Sequence, residues 1–426
     1  MYKQYLKQTI RMLKDNKLLS IISIVGTALA ICLIMMLVIV HQVWIMNYAP
    51  ETKRDKMLYV KWVGVQNKKT GENISNAFLS LKTAKACFLS LKTPEEVSVV
   101  SPLQSRLAAI SGGAKRQKCY VLFTDDTFWK VFDFSVLAGK PYTKEEFESG
   151  TKKMVITETL AKQLFGTADV VGKSMELSYM PYTICAVVKD VSSLLESTYG
   201  QIWIPYTTAN IRNFNRDENV AGLYKAYILA KSSDDFDAIR QEVEHCVSIY
   251  NASLSDYNIN LYRQPDTKYT ERMRFGPGYP DVTGSIIQNI FLVLIMLAVP
   301  AINLSGMTLS RMNKRMSEIG IRKAFGATKK GLLIQILYEN LVLTFLGGAL
   351  GLLLSYISIA LFKDWALNTT AYWGMHIAPD LPMKIFLNPV VFIFALFFCV
   401  MLNLMSAGIP AYRASSMTIV NALKEN

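Results

Sequence analysis

The residues of this 426-residue chain whose types suit chemistry are few and scattered. Its three histidines, His41, His245 and His376, show no H-E-x-x-H spacing for zinc, and neither a G-x-S-x-G nucleophile elbow nor a carboxylate dyad is present. Cys32, Cys87, Cys119, Cys185, Cys246 and Cys399 contain no C-x-x-C pair, so zinc and thiol-redox chemistry lack a ligand set. Gly166 to Ser174 imitates a phosphate-binding loop, but five residues separate its glycines where that loop needs four. A turn joining a helix to a strand is its expected use. The remaining candidate is a basic run from Ser310 to Lys330. As a helix it sets Lys314, Glu318 and Arg322 at successive four-residue steps, with Ile319 and Ile321 pointing elsewhere and Gly326 ending it. Physics alone leaves two uses for such a run: a solvated loop that fixes orientation, or a docking surface.

The elements that must position this run are set by where charge is absent. With 51% hydrophobic and 19% charged residues and a mean hydropathy of +0.23, an ordinary soluble protein is excluded. Crossing about 30 Å of hydrocarbon takes about 20 apolar residues. Four stretches qualify: Leu18 to Val40, Ile286 to Leu309, Gly331 to Phe362 with Glu339 as its single ionisable group, and Ile385 to Tyr412. The first lacks a cleavage pattern and is expected to stay as an anchor. Arg311, Lys314, Arg315, Arg322, Lys323, Lys329 and Lys330 against Glu318 place the run inside the cell, as Lys3, Lys7, Arg11, Lys14 and Lys17 place the N-terminal arm. That arm either lies as an amphipathic helix on anionic lipid or serves only this sorting. Trp44, Tyr48, Trp365, Tyr372 and Trp373 would mark the outer interface.

The expected fold class is an α+β membrane protein with four transmembrane helices and a large extracytoplasmic α/β domain between the first two. Its parts are a cytoplasmic arm at 1–17, helix one at 18–45, the outer domain at 46–284, helix two at 285–310 and the inner loop at 311–330. Helix three follows at 331–362, an outer loop at 363–384, helix four at 385–411 and a cytoplasmic tail at 412–426. Two βαβ units are expected in the outer domain, at 46–112 and 218–275, around an inserted β-rich subdomain at 113–217. The first unit reads as strand Met57–Val65, helix Ser75–Leu91 and strand Val97–Leu103; the second as strand Tyr224–Ala230, helix Asp234–Tyr250 and strand Ile259–Tyr262. In the insert, strands are expected at Cys119–Thr124, Met154–Thr157, Met175–Leu177 and Thr183–Val188, with a helix near Thr159–Leu164. Within the spans, Gly347, Gly351 and Ser355 recur at four-residue steps and permit close approach to a neighbour, in the same subunit or across a dimer; Gly348 lies beside them. Glu339 is expected at the inner interface, and Pro300 offers a kink.

The inner run, from Arg315 through Glu318, Ile319, Gly320, Ile321, Arg322, Lys323, Ala324, Gly326 and Ala327, resembles the R-x-x-E-I-G-I-R-K-A-x-G-A signature of the FtsX-like permease domain in ABC systems of the macrolide-exporter (MacB) type. Gln335, Glu339 and Asn340 followed by Gly347, Gly348 and Gly351 resemble that family's glycine-rich third span. Pro410, Ala411, Arg413, Ala414, Ser415, Ala422, Leu423 and Lys424 resemble its ending. In the outer domain, Asp126, Phe128, Phe132, Phe134, Leu137, Gly139, Leu160, Ala161, Leu164, Phe165, Gly166, Val187, Val188 and Asp190 are similar to its periplasmic core. The resemblance implies an inner-membrane permease, itself not catalytic, that works by mechanotransmission. ATP would bind an ABC ATPase subunit on another polypeptide, and this chain would bind no cofactor. ATPase coupling then falls to Arg311, Arg315, Glu318, Ile319, Gly320, Arg322, Lys323, Gly326 and Ala327. Implied partners are a second permease in a homodimer or heterodimer, membrane lipid, and a periplasmic adaptor with an outer-membrane channel; no nucleic acid is expected. Cargo would be peptides, drugs or lipids. The alternative is an FtsX-like regulator that activates an envelope partner without transport.

Overall fold

The computed structural model describes residues 17–111, 116–209, 220–274, 276–292, 294–295, 306, 321–322 and 324–366, with scattered positions between 390 and 412. The chain divides into two compact units, one of residues 1–43, 283–367 and 381–426, the other of residues 44–282 and 368–380.

In the first unit, helix α1 spans Lys17–Ile45 and a second long helix spans Lys329–Ala366. Among the described residues these two are long and apolar enough to cross a membrane, over Ser20–Ile45 and Lys329–Leu361. The expected span at Ile286 to Leu309 begins in a shorter apolar helix, Val282–Leu292, and its remainder lies outside the described residues. The span expected at Ile385 to Tyr412 is described only at scattered helical positions, so two of the four expected spans are seen whole. Gly347 and Gly351 decide how the long helices meet. A Cβ on Gly347 would lie 2.7 Å from the Thr27 Cβ, and one on Gly351 would lie 2.7 Å from the Ala28 carbonyl oxygen. Gly348 faces Leu396 and Ile31. The close neighbour is therefore within the subunit. Contacts advance together along both helices, from Thr27 and Gly347 to Cys32 and Ser358 at 3.7 Å, so the two run parallel.

The second unit holds the sheets. Strand β1 (Met57–Val60) pairs with β13 (Lys225–Leu229), which pairs with β4 (Glu96–Val100), all antiparallel. A four-stranded sheet has the order β12 (Ala221–Gly222), β3 (Asn73–Leu79), β2 (Val63–Asn67) and β14 (Tyr257–Asn260). Each sheet takes strands from both ends of the unit. The second half keeps the expected strand–helix–strand order, Lys225–Leu229, Phe236–Ser253 and Tyr257–Asn260, with its two strands in different sheets, but the first half is not a simple βαβ unit. The expected strand over Met57 to Val65 breaks at Lys61 and Trp62, whose N–H groups both donate to the Gln264 side chain (2.8 and 3.1 Å). The expected helix from Ser75 is a strand as far as Leu79. Ser80 then accepts from the Thr83 N–H (2.9 Å) and starts a helix that runs only over Leu81–Cys87. The longer helix, Phe236–Ser253, packs against it.

The insert closes on itself only together with Gln104–Ile110, a strand that precedes its expected start at residue 113. Strands β5 (Gln104–Ile110), β6 (Arg116–Thr124), β8 (Lys153–Thr157), β9 (Ser174–Leu177), β10 (Met180–Val188) and β11 (Ile202–Pro205) follow the order β10-β8-β11-β6-β5-β9, and β9 pairs back to β10. Closure removes the open edges that would otherwise invite pairing. A further strand, β7 (Val136–Gly139), pairs with the C-terminal end of β10. Alternation fills the core: Cys119, Val121 and Phe123 of β6 join Met154 and Ile156 of β8, while Leu122, Val155 and Trp203 turn to a second core with Phe128 and Phe132. The helix expected near Thr159 spans Glu158–Phe165, capped by Thr157 and ended by Gly166. The string resembling a phosphate loop is the turn after it, and Lys173 lies over the Phe165 ring.

Candidate coupling site

The candidate site is a turn leading into the second long helix, Lys329–Ala366, labelled α9. Ile321 and Arg322 are helical, and the Phe325 N–H donates to the Ile321 carbonyl (3.1 Å). Gly326 has φ +89°, and the Ala327 N–H returns to the Arg322 carbonyl (3.0 Å). This is the bond pattern by which a glycine ends a helix. Thr328 starts the next one: its hydroxyl accepts from the Gly331 N–H (3.2 Å) and its carbonyl from the Leu332 N–H (3.1 Å). Phe325 is 88% exposed and Ile321 half exposed, leaving apolar surface at the turn.

Behind the turn lies a polar line. Arg322 Nη1 donates to Gln335 Oε1 (3.0 Å), and Gln335 Nε2 donates to Glu339 Oε1 (3.0 Å). Gln335 and Glu339 are buried. One turn on, Asn340 donates to the Ile336 carbonyl and Thr344 to the Asn340 carbonyl, so these polar groups are satisfied inside an apolar helix.

Of the residues expected to couple to an ATPase, Arg322, Gly326 and Ala327 form this turn, while Arg311, Arg315, Glu318, Ile319, Gly320 and Lys323 lie outside the described residues. Arg322 and Glu339 are brought together through Gln335, which sequence reasoning quoted as part of a motif without giving it a role. The four-residue spacing of Gln335 and Glu339 was the available signal.

The outer unit carries buried charge that sequence reasoning missed. Glu271 pairs with both Lys61 and Lys268, the latter at 3.3 Å, and Lys61 also reaches Glu196 at 3.4 Å. Lys225 lies among them against the Phe78 ring; burial, then the neighbouring Lys61, pull its ammonium down to about 7 despite Glu196 and Glu271. Burial works against ionised Glu271 too, yet Lys268 and Lys61 hold it below the usual carboxylate range. Nearer the entry of the chain, buried Arg54 donates to Glu51 Oε2 (2.7 Å) and to the Met46 carbonyl (3.0 Å). Glu51 accepts in turn from the Ser197 N–H and the Thr198 hydroxyl. Cys87, Cys119, Cys185 and Cys246 are free thiols. Among the described residues no group of three or more His, Cys, Asp or Glu is placed to hold a metal.

The described residues thus combine a parallel, glycine-packed pair of long apolar helices, a glycine-capped turn and a large sheet unit that follows the first helix. Residues 20–245 match the MacB-like periplasmic core domain and residues 290–419 the FtsX-like permease C-terminal domain. The chain belongs to this family of ABC transporter permeases. It is 25% identical over 344 residues to the macrolide export ATP-binding/permease protein MacB 1 of Yersinia pestis bv. Antiqua, covering 78% of this chain and 48% of that one. The chain thus spans about half the length of that relative. It is also 25% identical to the ABC transporter permease YknZ of Bacillus subtilis over 238 residues, 56% of each chain. The crystal structure of the YknZ extracellular domain aligns over 47% of this chain and 99% of that one at 15% identity, with a TM-score of 0.35.

Proposed function

We propose that the chain is the permease subunit of an ABC transporter that works by mechanotransmission. ATP hydrolysis on a separate cytoplasmic ATPase drives the inner loop, the spans act as levers, and the domain at 46–284 moves outside the membrane to export peptides, drugs or lipids. On this reading the subunit pairs with a second permease, binds no cofactor itself, and hands cargo to a periplasmic adaptor and outer-membrane channel. The observation that supports it most directly is the exposed, glycine-capped turn at Gly326. It presents Phe325 and Ile321 at the start of a 38-residue helix, the geometry a lever needs at its driven end.

The test is purification of the tagged full chain in mild detergent, identification of its partners and assay of ATP hydrolysis. An associated ATPase whose substrate-linked turnover is lost with Glu318→Lys or Gly326→Pro supports the reading. Turnover untouched by both sinks the coupling assignment, and a stable complex with a cell-wall hydrolase and no export favours a regulator.

A further inference from the structure

The geometry points to Gln335 as a positioning residue: its amide locks the inner turn at Arg322 to helix α9 at Glu339, so that loop and helix move as one elbow. This rests on the permease reading for its purpose, though not for its chemistry. The covalent link between the two parts is short, and a Cβ on Gly326 would meet nothing within 4 Å, so packing around that glycine does not fix the angle. Arg322 spans the bend twice. Its carbonyl accepts from the Ala327 N–H, and its guanidinium reaches across to Gln335.

A primary amide has one face that accepts and one that donates. Gln335 turns its oxygen to the guanidinium and its nitrogen to the carboxylate, and the reversed amide would set donor against donor and acceptor against acceptor. Only one orientation satisfies both neighbours, which makes the link directional. Because Gln335 is buried, an angle change that parted it from Arg322 would strand its amide oxygen away from water.

The test needs no ATPase. Backbone hydrogen exchange of the full chain in nanodiscs is followed by mass spectrometry over 325–332, with strands β1 and β13 as the internal measure of folding. Gln335→Leu removes both bonds; Gln335→Glu keeps the acceptor for Arg322 but sets an oxygen against Glu339; Glu339→Gln keeps the acceptor that Gln335 uses. Gln335→Leu should speed exchange at 325–332 about tenfold, equivalent to about 1.4 kcal/mol, with β1 and β13 unchanged; Gln335→Glu should speed it less, because its carboxylate still holds the Arg322 guanidinium, and Glu339→Gln should stay within about twofold of the parent. Exchange unchanged in both Gln335 variants, or accelerated equally by Glu339→Gln, overturns the proposal. Since exchange is read without a partner, a missing ATPase would count against the permease reading alone.

Discussion

Gly351 lies so close to Ala28 that a Cβ on the glycine would stand 2.7 Å from the Ala28 carbonyl oxygen and 2.9 Å from the Ile31 Cβ. In a solvent-facing helix, replacing glycine by alanine stabilises by about 1 kcal/mol. Here the sign reverses. The added methyl meets backbone, which cannot swing aside, and overpacking of this kind costs about 1–3 kcal/mol. Gly351→Ala should therefore lower the thermal midpoint of the purified chain, and Gly347→Leu more so. Leu353→Ala, at an exposed position on the same helix, should leave it in place.

Gly139 poses a sharper case in the outer domain. It has φ +73° and pairs with Ala186, and a Cβ there would fall 2.1 Å from the Cys185 carbonyl oxygen. The left-handed conformation alone costs a non-glycine residue about 1–2 kcal/mol, and the clash adds about 1–3 kcal/mol. Gly139→Ala should destabilise the domain by about 2–5 kcal/mol. Chemical denaturation followed by the fluorescence of buried Trp203 measures it directly; an unchanged midpoint would refute the close packing of this strand on β10.

The buried charges of the outer domain make opposite predictions for two neighbours. Lys61, Lys225 and Lys268 face Glu196 and Glu271, so removing one carboxylate leaves three cations against one, while removing one lysine leaves two against two. Glu271→Gln should cost about 3–5 kcal/mol, whereas Lys225→Met, at a buried position, should be neutral or stabilising. The pH dependence has a definite sign. Lys225 is depressed to about 7 in the folded chain, so between pH 7 and about 10.4 the unfolded chain holds the extra proton and stability rises with pH. Any advantage of Lys225→Met should be largest at or below pH 7 and shrink toward pH 10 in urea unfolding. An advantage that grew with pH would contradict the assignment.

These cases also show where sequence reading succeeds. Met154–Thr157 is buried throughout and Ile184–Val188 nearly so, apolar runs on a closed sheet that leave no competing pattern, although β10 itself begins three residues before Thr183, at Met180. Asn73–Leu79 misled because Ala77, Leu81, Ala84 and Phe88 keep helical spacing across the true boundary at Ser80; the cap, not the spacing, decides where the helix starts. The charge cluster was illegible for another reason. Lys61, Glu196, Lys225 and Glu271 are far apart in the chain, and only the antiparallel pairing of β13 and the fold around it bring them within reach. The turn at Gly326 was readable as a helix stop, yet the contact of Gln335 with Arg322 crosses a bend that no periodicity encodes.

Gly326 separates two reasons for a glycine at the inner turn. Its φ of +89° demands the left-handed region, while the space around its absent side chain is open. If conformation is the whole demand, asparagine, which tolerates that region, should be nearly harmless, and valine should pay the strain of about 1–2 kcal/mol. If an ATPase approaches the bare backbone, both side chains should obstruct it alike. Thermal stability of the chain together with ATP hydrolysis by the co-purified complex reads the two effects apart. Gly326→Asn is expected to retain both, and Gly326→Val to lose stability at the turn and coupling with it. Asparagine that keeps stability but loses coupling as fully as valine would show that the glycine is there for the partner's surface rather than for its own backbone.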